Sequence, residues 1–301
     1  MDIHVSIAPE TLFRLGPLPV TNSFLMMLIV MAALILVGGH IARTATIVPG
    51  RLQASFEILV EFLLEIVDGT AGRAAGRKIF PLIGGIFIFI AFANYLGVFP
   101  GVGTIGFYET EPATAEQHAV TTGDQLAAVG AAAVQNAPAK AEAGGRVLVP
   151  FVRSPNADLN MTVAMALVTF VIVQILGIRQ HGVGGRIKHL ANPPLLFPIE
   201  VISELGRIVS LSARLFGNVF AGEILLGVMY AMAAAVKVAI IPLAIPVVFI
   251  GLELLFGTIQ ALVFALLSLI YIVLATEGGH DDEHAEAHAP ATVAAQAHGA
   301  D

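Results

Sequence analysis

The sequence predicts an all-α polytopic membrane protein, with about five membrane-crossing helices plus one amphipathic surface helix, the last two crossings long and steeply tilted. Three observations carry this prediction. Of 301 residues, 57% are hydrophobic and only 12% are charged, whereas soluble domains are about a quarter charged. Mean hydropathy is +0.86. The apolar residues fall in long, nearly uncharged runs that can each supply the roughly 20 residues of a bilayer crossing.

The elements follow in order. Residues 1–21 form a polar external segment interrupted by Pro9, Pro17 and Pro19. The first spanning helix covers 22–42. It lacks a preceding basic region and a small-residue cleavage site, so it reads as a retained helix and not a signal peptide. Residues 50–70 form the surface helix. Glu57, Glu61 and Glu65 recur every four residues, Asp68 falls near the same face, and Leu, Phe, Ile and Val fill the rest. Lipid-surface helices usually carry Lys and Arg on the wet face, so an acidic stripe favours a protein partner over the bilayer surface.

The second spanning helix covers 79–100, with Asn94 as its one strongly polar residue. Residues 101–153, rich in Ala, Gly and Thr without sustained periodicity, read as an extramembrane loop insert, partly disordered. The third spanning helix, 158–178, holds no charge from Leu159 to Ile178. Residues 192–236 and 238–276 form a helical hairpin whose arms each exceed one crossing. A helix of about 35 residues is roughly 50 Å long and cannot stand upright in a hydrocarbon core of about 30 Å. Pro193, Pro194 and Pro198 mark the start of the first arm. Pro242 and Pro246 occupy the first turns of the second. The tail, 277–301, is Ala, His, Asp and Glu and is expected to be disordered.

Loop basicity sets the expected orientation. Arg43, Arg51, Arg73, Arg77 and Lys78 flank the surface helix, and Arg179, Arg186 and Lys188 follow the third span. The long insert holds only Lys140, Arg146 and Arg153. The N-terminus and insert are therefore expected outside and the C-terminus in the cytoplasm.

Several classes lose support. There is no cysteine, hence no disulfide framework or thiolate metal site. No strongly basic patch suggests nucleic acid. No H-E-x-x-H, G-x-S-x-G or Walker loop is present, which leaves an intramembrane protease or nucleotide-driven transporter unsupported. His280, His284 and His288 have metal-ligand spacing but read as part of a solvated tail. No cofactor is expected.

Ionisable groups at membrane depth are costly and mark function by default. The first long arm carries Glu200, Glu204, Arg207, Arg214, Asn218 and Glu223; the second carries Glu253 and Gln260. At 100° per residue, the first five fall within roughly 40° of one line, Glu223 about 140° from it. Glu253, Gln260 and Tyr271 share a face on the second arm. Two polar stripes on adjacent helices make a wettable path or a paired seam. Glu200, Glu204 and Arg207 lie near the helix start, where solvated interface charges are an equally open reading. Glu223 and Glu253 as protonated hydrogen-bonders is another. Arg214 differs, because a guanidinium in an apolar stretch cannot shed its proton. With no acid nearby on its own face, it calls for an acidic partner on another chain.

The run from Ser210 to Glu223, SLSARLFGNVFAGE, closely resembles the signature of subunit a of F-type ATP synthases. Pro49-Gly50 with Gln53, the NYLGVFP run ending the second span, SPNADLN with Asp158 and Asn160, and Gln260 with Tyr271 agree with it. The resemblance covers most of residues 22–276, in order, and leaves out the insert and the tail. It implies a stator subunit that translocates ions, proton by default, through two offset half-channels meeting a rotor c-ring. Arg214 would separate them and face the ring carboxylates. Glu223 and Glu253 would line the half-channel from outside, Asn218 and Gln260 would sit close to Arg214, and Glu200 would lie on the path to the cytoplasm. Ser210, Arg207, Tyr271 and Asp158 are secondary candidates. Family members often carry a histidine at one of the positions of Glu223 and Glu253; here both are carboxylates. The implied partners are the c-ring, peripheral-stalk b subunits, the remaining synthase and the lipid bilayer, in a bacterial inner membrane. The catalytic sites would lie elsewhere in the complex. The alternative is a secondary transporter with an Arg-bound anionic substrate, although no internal repeat of the transporter kind is visible. A bare membrane anchor would have no use for two polar stripes.

Overall fold

The computed structural model describes residues 9–16, 18–99, 101–103, 105–110, 146–190, 197–235 and 241–277. Chain order is β1 (Thr11–Leu15), β2 (Leu18–Thr21), α1 (Asn22–Thr44), α2 (Arg51–Gly97), β3 (Gly106–Thr110), β4 (Arg146–Pro150), a 3₁₀ turn (Pro155–Ala157), α3 (Leu159–Leu190), α4 (Phe197–Ala235) and α5 (Ile241–Glu277). Among these residues five helices are long and apolar enough to cross a membrane, in agreement with the polytopic helical fold read from the sequence. Expectations for residues 1–8, for 111–145 within the insert and for the tail beyond 277 lie outside the described residues, as do those for Pro193, Pro194 and the tail histidines.

Strand structure is the addition. The N-terminal segment and the base of the insert each form an antiparallel two-stranded ribbon, β1 with β2 and β3 with β4. Strands of four or five residues are too short to show an alternation in sequence. The first ribbon feeds directly into α1, where the Thr21 hydroxyl accepts from Phe24 N at 3.2 Å.

The surface helix and the second span are two legs of α2 that meet at Gly72, whose φ of 73° and ψ of 154° are non-helical. That conformation is essentially reserved for glycine. The second leg begins at once, so Arg73, Arg77 and Lys78, read from sequence as connecting residues, lie in its opening turns. The bend folds the legs closely: a Cβ on Gly76 would stand 2.8 Å from Asp68 Oδ1. Helix α3 likewise continues past residue 178 to Leu190, bending at Gly182 with φ 72°. Helices α4 and α5, 39 and 37 residues long, are each roughly 55 Å or more at about 1.5 Å per residue.

The core forms where α5 packs against α2, α3 and α4. Phe264, Leu269, Ile272, Ile83, Ile90 and Leu215 are fully buried there. Lipid tails are as apolar as leucine, so helices in a bilayer associate through close approach and hydrogen bonding. The α5 seam is built accordingly, with Gly257, Ala261 and Ala265 spaced every four residues and buried. At Gly257 a Cβ would stand 3.0 Å from that of Asn94. The bare glycine lets Asn94 Nδ2 donate to Gly257 O at 3.0 Å. Asn156 Nδ2 donates to Asn94 Oδ1 at 2.7 Å, and the Tyr95 and Thr258 hydroxyls share a 2.7 Å bond. Asp158 ties the third span to the first: Ser23 Oγ donates to its Oδ2 at 2.7 Å, and its Oδ1 accepts from Asn160 N at 2.9 Å, capping α3.

Gly72→Ala should destabilise the protein by about 1–3 kcal/mol, because the bend needs a backbone conformation alanine resists. Gly69→Ala, at a helical and open position, should leave stability level or raised. Thermal unfolding of the two purified variants checks the pair.

Candidate functional site

Helix α4 presents its charges in three places. Near its start, Glu204 is buried and held on both oxygens. Gln174 Nε2 of α3 donates to Oε2 at 2.9 Å, and Arg207 Nη1 donates to Oε1 at 3.1 Å. The Arg207 guanidinium also lies over the Tyr271 ring of α5, 5.2 Å from its centroid. A buried carboxylate needs such partners, so three helices converge on Glu204. Glu200 lies one turn earlier on α4, and its side chain is outside the described residues.

Ten residues on, Arg214 is exposed on the outside of the bundle. Among the described residues it has no hydrogen bond or ion pair. Its neighbour Leu215 is fully buried, so the guanidinium leaves the helix at the edge of the packed face. Ser210 is exposed as well. The single polar line expected on this helix is therefore divided: Glu204 turns into the bundle and Arg214 turns out. The reason is packing, since α3 and α5 supply polar partners around Glu204.

Between Arg214 and the far end lie two amides. Asn218 is half-buried, Gln260 of α5 is buried, and neither Asn218 Nδ2 nor Gln260 Nε2 meets a protein acceptor. Buried donors left open by protein are suited to water or a second subunit.

At the far end Glu223 and Glu253 come together. The Glu253 carboxylate occupies the space a side chain on Gly222 would need, directly beside Glu223. Glycine at 222 thus leaves room for the Glu253 side chain of α5. Glu223 in turn is paired with Arg153, whose Nε lies 2.9 Å from Oε1 and 3.1 Å from Oε2. Arg153 is 5% exposed and also lies over the Phe220 ring at 5.8 Å.

The structure thus brings Glu223 and Glu253 together, puts Arg207 beside Tyr271, leaves Arg214 outward, and employs Asp158 as a helix cap bound to Ser23. Sequence reading missed Arg153, which it assigned to an irregular insert with no role. A signal was available: a lone basic residue just before Ser154-Pro155-Asn156, and a deep Glu223 with no cation within two turns of it on its own helix. Gly222 and Gln174 were missed because their roles exist only between helices.

Comparison with known proteins bears on all of this. Residues 23–273 match the family model described as ATP synthase A chain. The ATP synthase subunit a of Moorella thermoacetica is 31% identical over 271 residues, covering 88% of this chain and 95% of that protein. That of Syntrophobacter fumaroxidans is 31% identical over 285 residues, covering 93% and 94%. That of Desulfotalea psychrophila is 30% identical over 257 residues, covering 84% and 83%.

Gly222→Ala should turn the Glu253 carboxylate out of its place against α4 by a change of side-chain rotamer, costing about 0.5–1.5 kcal/mol. Thermal unfolding measures it, with Gly206→Ala, where no atom lies within 4 Å, as the neutral comparison.

Proposed function

The chain belongs to the ATP synthase A chain family, and we propose that within it Arg214 separates two half-channels that open on opposite sides of the membrane. Membership makes the protein the non-catalytic, multi-pass membrane subunit of an ATP synthase that carries protons across. The secondary-transporter alternative has no support from these relatives.

One observation carries the mechanism. Arg214 stands outward from an apolar span with no anion among the described residues. A guanidinium stays charged, and a charge at membrane depth demands a partner. The partner is a carboxylate on a separate subunit, which fits a rotor c-ring. Such a carboxylate must be neutral to face lipid and can ionise beside Arg214.

Spacing along α4 supports the two paths. Glu204 and Glu223 are separated by about 28 Å at roughly 1.5 Å per residue, close to the hydrocarbon thickness of about 30 Å. Arg214 stands near the midpoint. Protons from outside would pass Glu223 and Glu253, then Asn218 and Gln260 with their open donors, and reach a ring carboxylate. After a nearly full turn the carboxylate would lose its proton toward Glu200 and the Glu204–Arg207–Tyr271 cluster. The fixed charge of Arg214 opposes direct passage of a hydrated proton between the paths. The orientation that fits is N-terminus outside and C-terminus cytoplasmic, in a bacterial inner membrane. The exposed Glu57, Glu61 and Glu65 stripe on the first leg of α2 suits a basic protein partner there, such as the peripheral-stalk b subunits.

Arg214→Ala should assemble and lose proton-driven ATP synthesis by at least about 100-fold, the scale of losing a fixed electrostatic group at a charge-handling site. Synthesis in membrane vesicles, with complex assembly followed by co-purification, decides it. Near-normal synthesis in assembled complex would remove the mechanism.

A further inference from the structure

Two carboxylates at the outer end share one cation. Arg153 contacts both oxygens of Glu223. Glu253 packs its carboxylate against Gly222 and has no ion pair among the described residues. The two acids are therefore not equivalent.

Arg153 is held firmly. The β3–β4 ribbon continues past its last paired residues, with Phe151 N donating to Ile105 O and Gly103 N to Val152 O, both at 3.0 Å. On its other side the 3₁₀ turn packs on α4, and Gly97 comes so near Ser154 that a Cβ there would stand 2.7 Å from its hydroxyl. The Phe220 ring under the guanidinium is itself stacked on Phe216, with centroids 5.1 Å apart and planes at 13°. The insert, unassigned by sequence, thus delivers one buried cation to one acid.

We propose that the two carboxylates divide the work: Glu223 is the fixed counterion of Arg153, a positioning pair, and Glu253 alone takes up the external proton and passes it on. The inference rests on reading this end as the outer half-channel. Arg153 cannot release its proton, so protonating Glu223 would strand a buried, uncompensated cation, which is strongly unfavourable. Protonating Glu253 instead takes the three-residue cluster from net −1 to neutral and leaves the ion pair intact. In the transfer an O–H bond forms at Glu253 as one O–H bond of an external hydronium ion breaks, leaving neutral water. That bond breaks when the proton moves toward the rotor carboxylate. The pair keeps Glu223 turned away and holds the helix face against which Glu253 lies.

The test uses the complete synthase in membrane vesicles, with assembly confirmed and ATP synthesis measured. Glu253→Gln should lose synthesis by about 100-fold. Glu223→Gln and Arg153→Gln should each lose about tenfold or more, and Arg153→Lys should retain more than Arg153→Gln. The double variant Arg153→Gln with Glu223→Gln, which removes both charges, should recover about tenfold over either single variant. A double variant no better than Glu223→Gln would make Glu223 a proton carrier and overturn the inference, as would substantial synthesis with Glu253→Gln. Should the neutral variants fail to assemble, the exchange of Arg153→Glu with Glu223→Arg reads the same pair: recovered synthesis supports it and continued loss overturns it. Arg214→Ala run alongside separates the two levels. Synthesis surviving that change defeats the half-channel reading itself, whatever the pair does.

Discussion

A guanidinium cannot discharge itself, and this chain aims one outward from the middle of an apolar helix. Much of the architecture serves that constraint. For Arg214 to meet an anion beyond its own bundle, as proposed, the face of α4 that carries it has to remain open. The face beside it has to be packed well enough to fix the helix. Leu211, Leu215 and Val219, all buried, supply that packing one turn apart. An arginine whose compensating anion comes from another subunit is free to meet a succession of anions, which a salt bridge inside its own chain would forbid.

Holding α4 in place is a problem of polar chemistry more than of apolar burial. Hydrocarbon offers no hydrophobic drive between helices. The bundle is joined instead by small residues and hydrogen-bonded polar side chains: Gly257 against Asn94, Asn156 bridging Asn94 and Ile90 O, and Glu204 shared between Gln174 and Arg207. Each link draws on two or three elements. The polar residues near Arg214 are treated differently, since Asn218 and Gln260 keep donors open. In the seam the Asn94 and Asn156 amide donors are all used between helices, whereas beside the exposed arginine the amide donors stay open to water.

The ends of the span are likewise asymmetric. At one, Glu204 is enclosed by hydrogen bonds and a cation stacked on Tyr271. At the other, two carboxylates meet, and one of them is paired with a cation that arrives from the segment between the β3–β4 ribbon and the 3₁₀ turn. The bend at Gly72 places an acidic helix leg beside the membrane-spanning one, while Asp158 joins the first and third spans through Ser23. The ends of the first and third spans that meet at Asp158 are thereby tied to the segment that carries Arg153.

By itself the sequence determined the helical membrane fold and its five crossings, and it singled out Arg214 as a charge in an apolar run. Hydropathy and helical period are properties of a single segment, and a lone charge in an apolar run is visible without knowing its neighbours. Sequence also singled out Glu223, Glu253, Asn218 and Gln260 as polar residues on two adjacent helices. Only the tertiary structure decided how they are partnered. Glu204 turns inward although it shares a helical line with Arg214, because Gln174 and Tyr271 lie on other helices. Gly222 matters because α5 brings a carboxylate there. Arg153 pairs with an acid seventy residues away because a ribbon too short to register in the sequence holds it in place. Periodicity along one segment cannot encode contacts whose geometry is set by how segments approach one another.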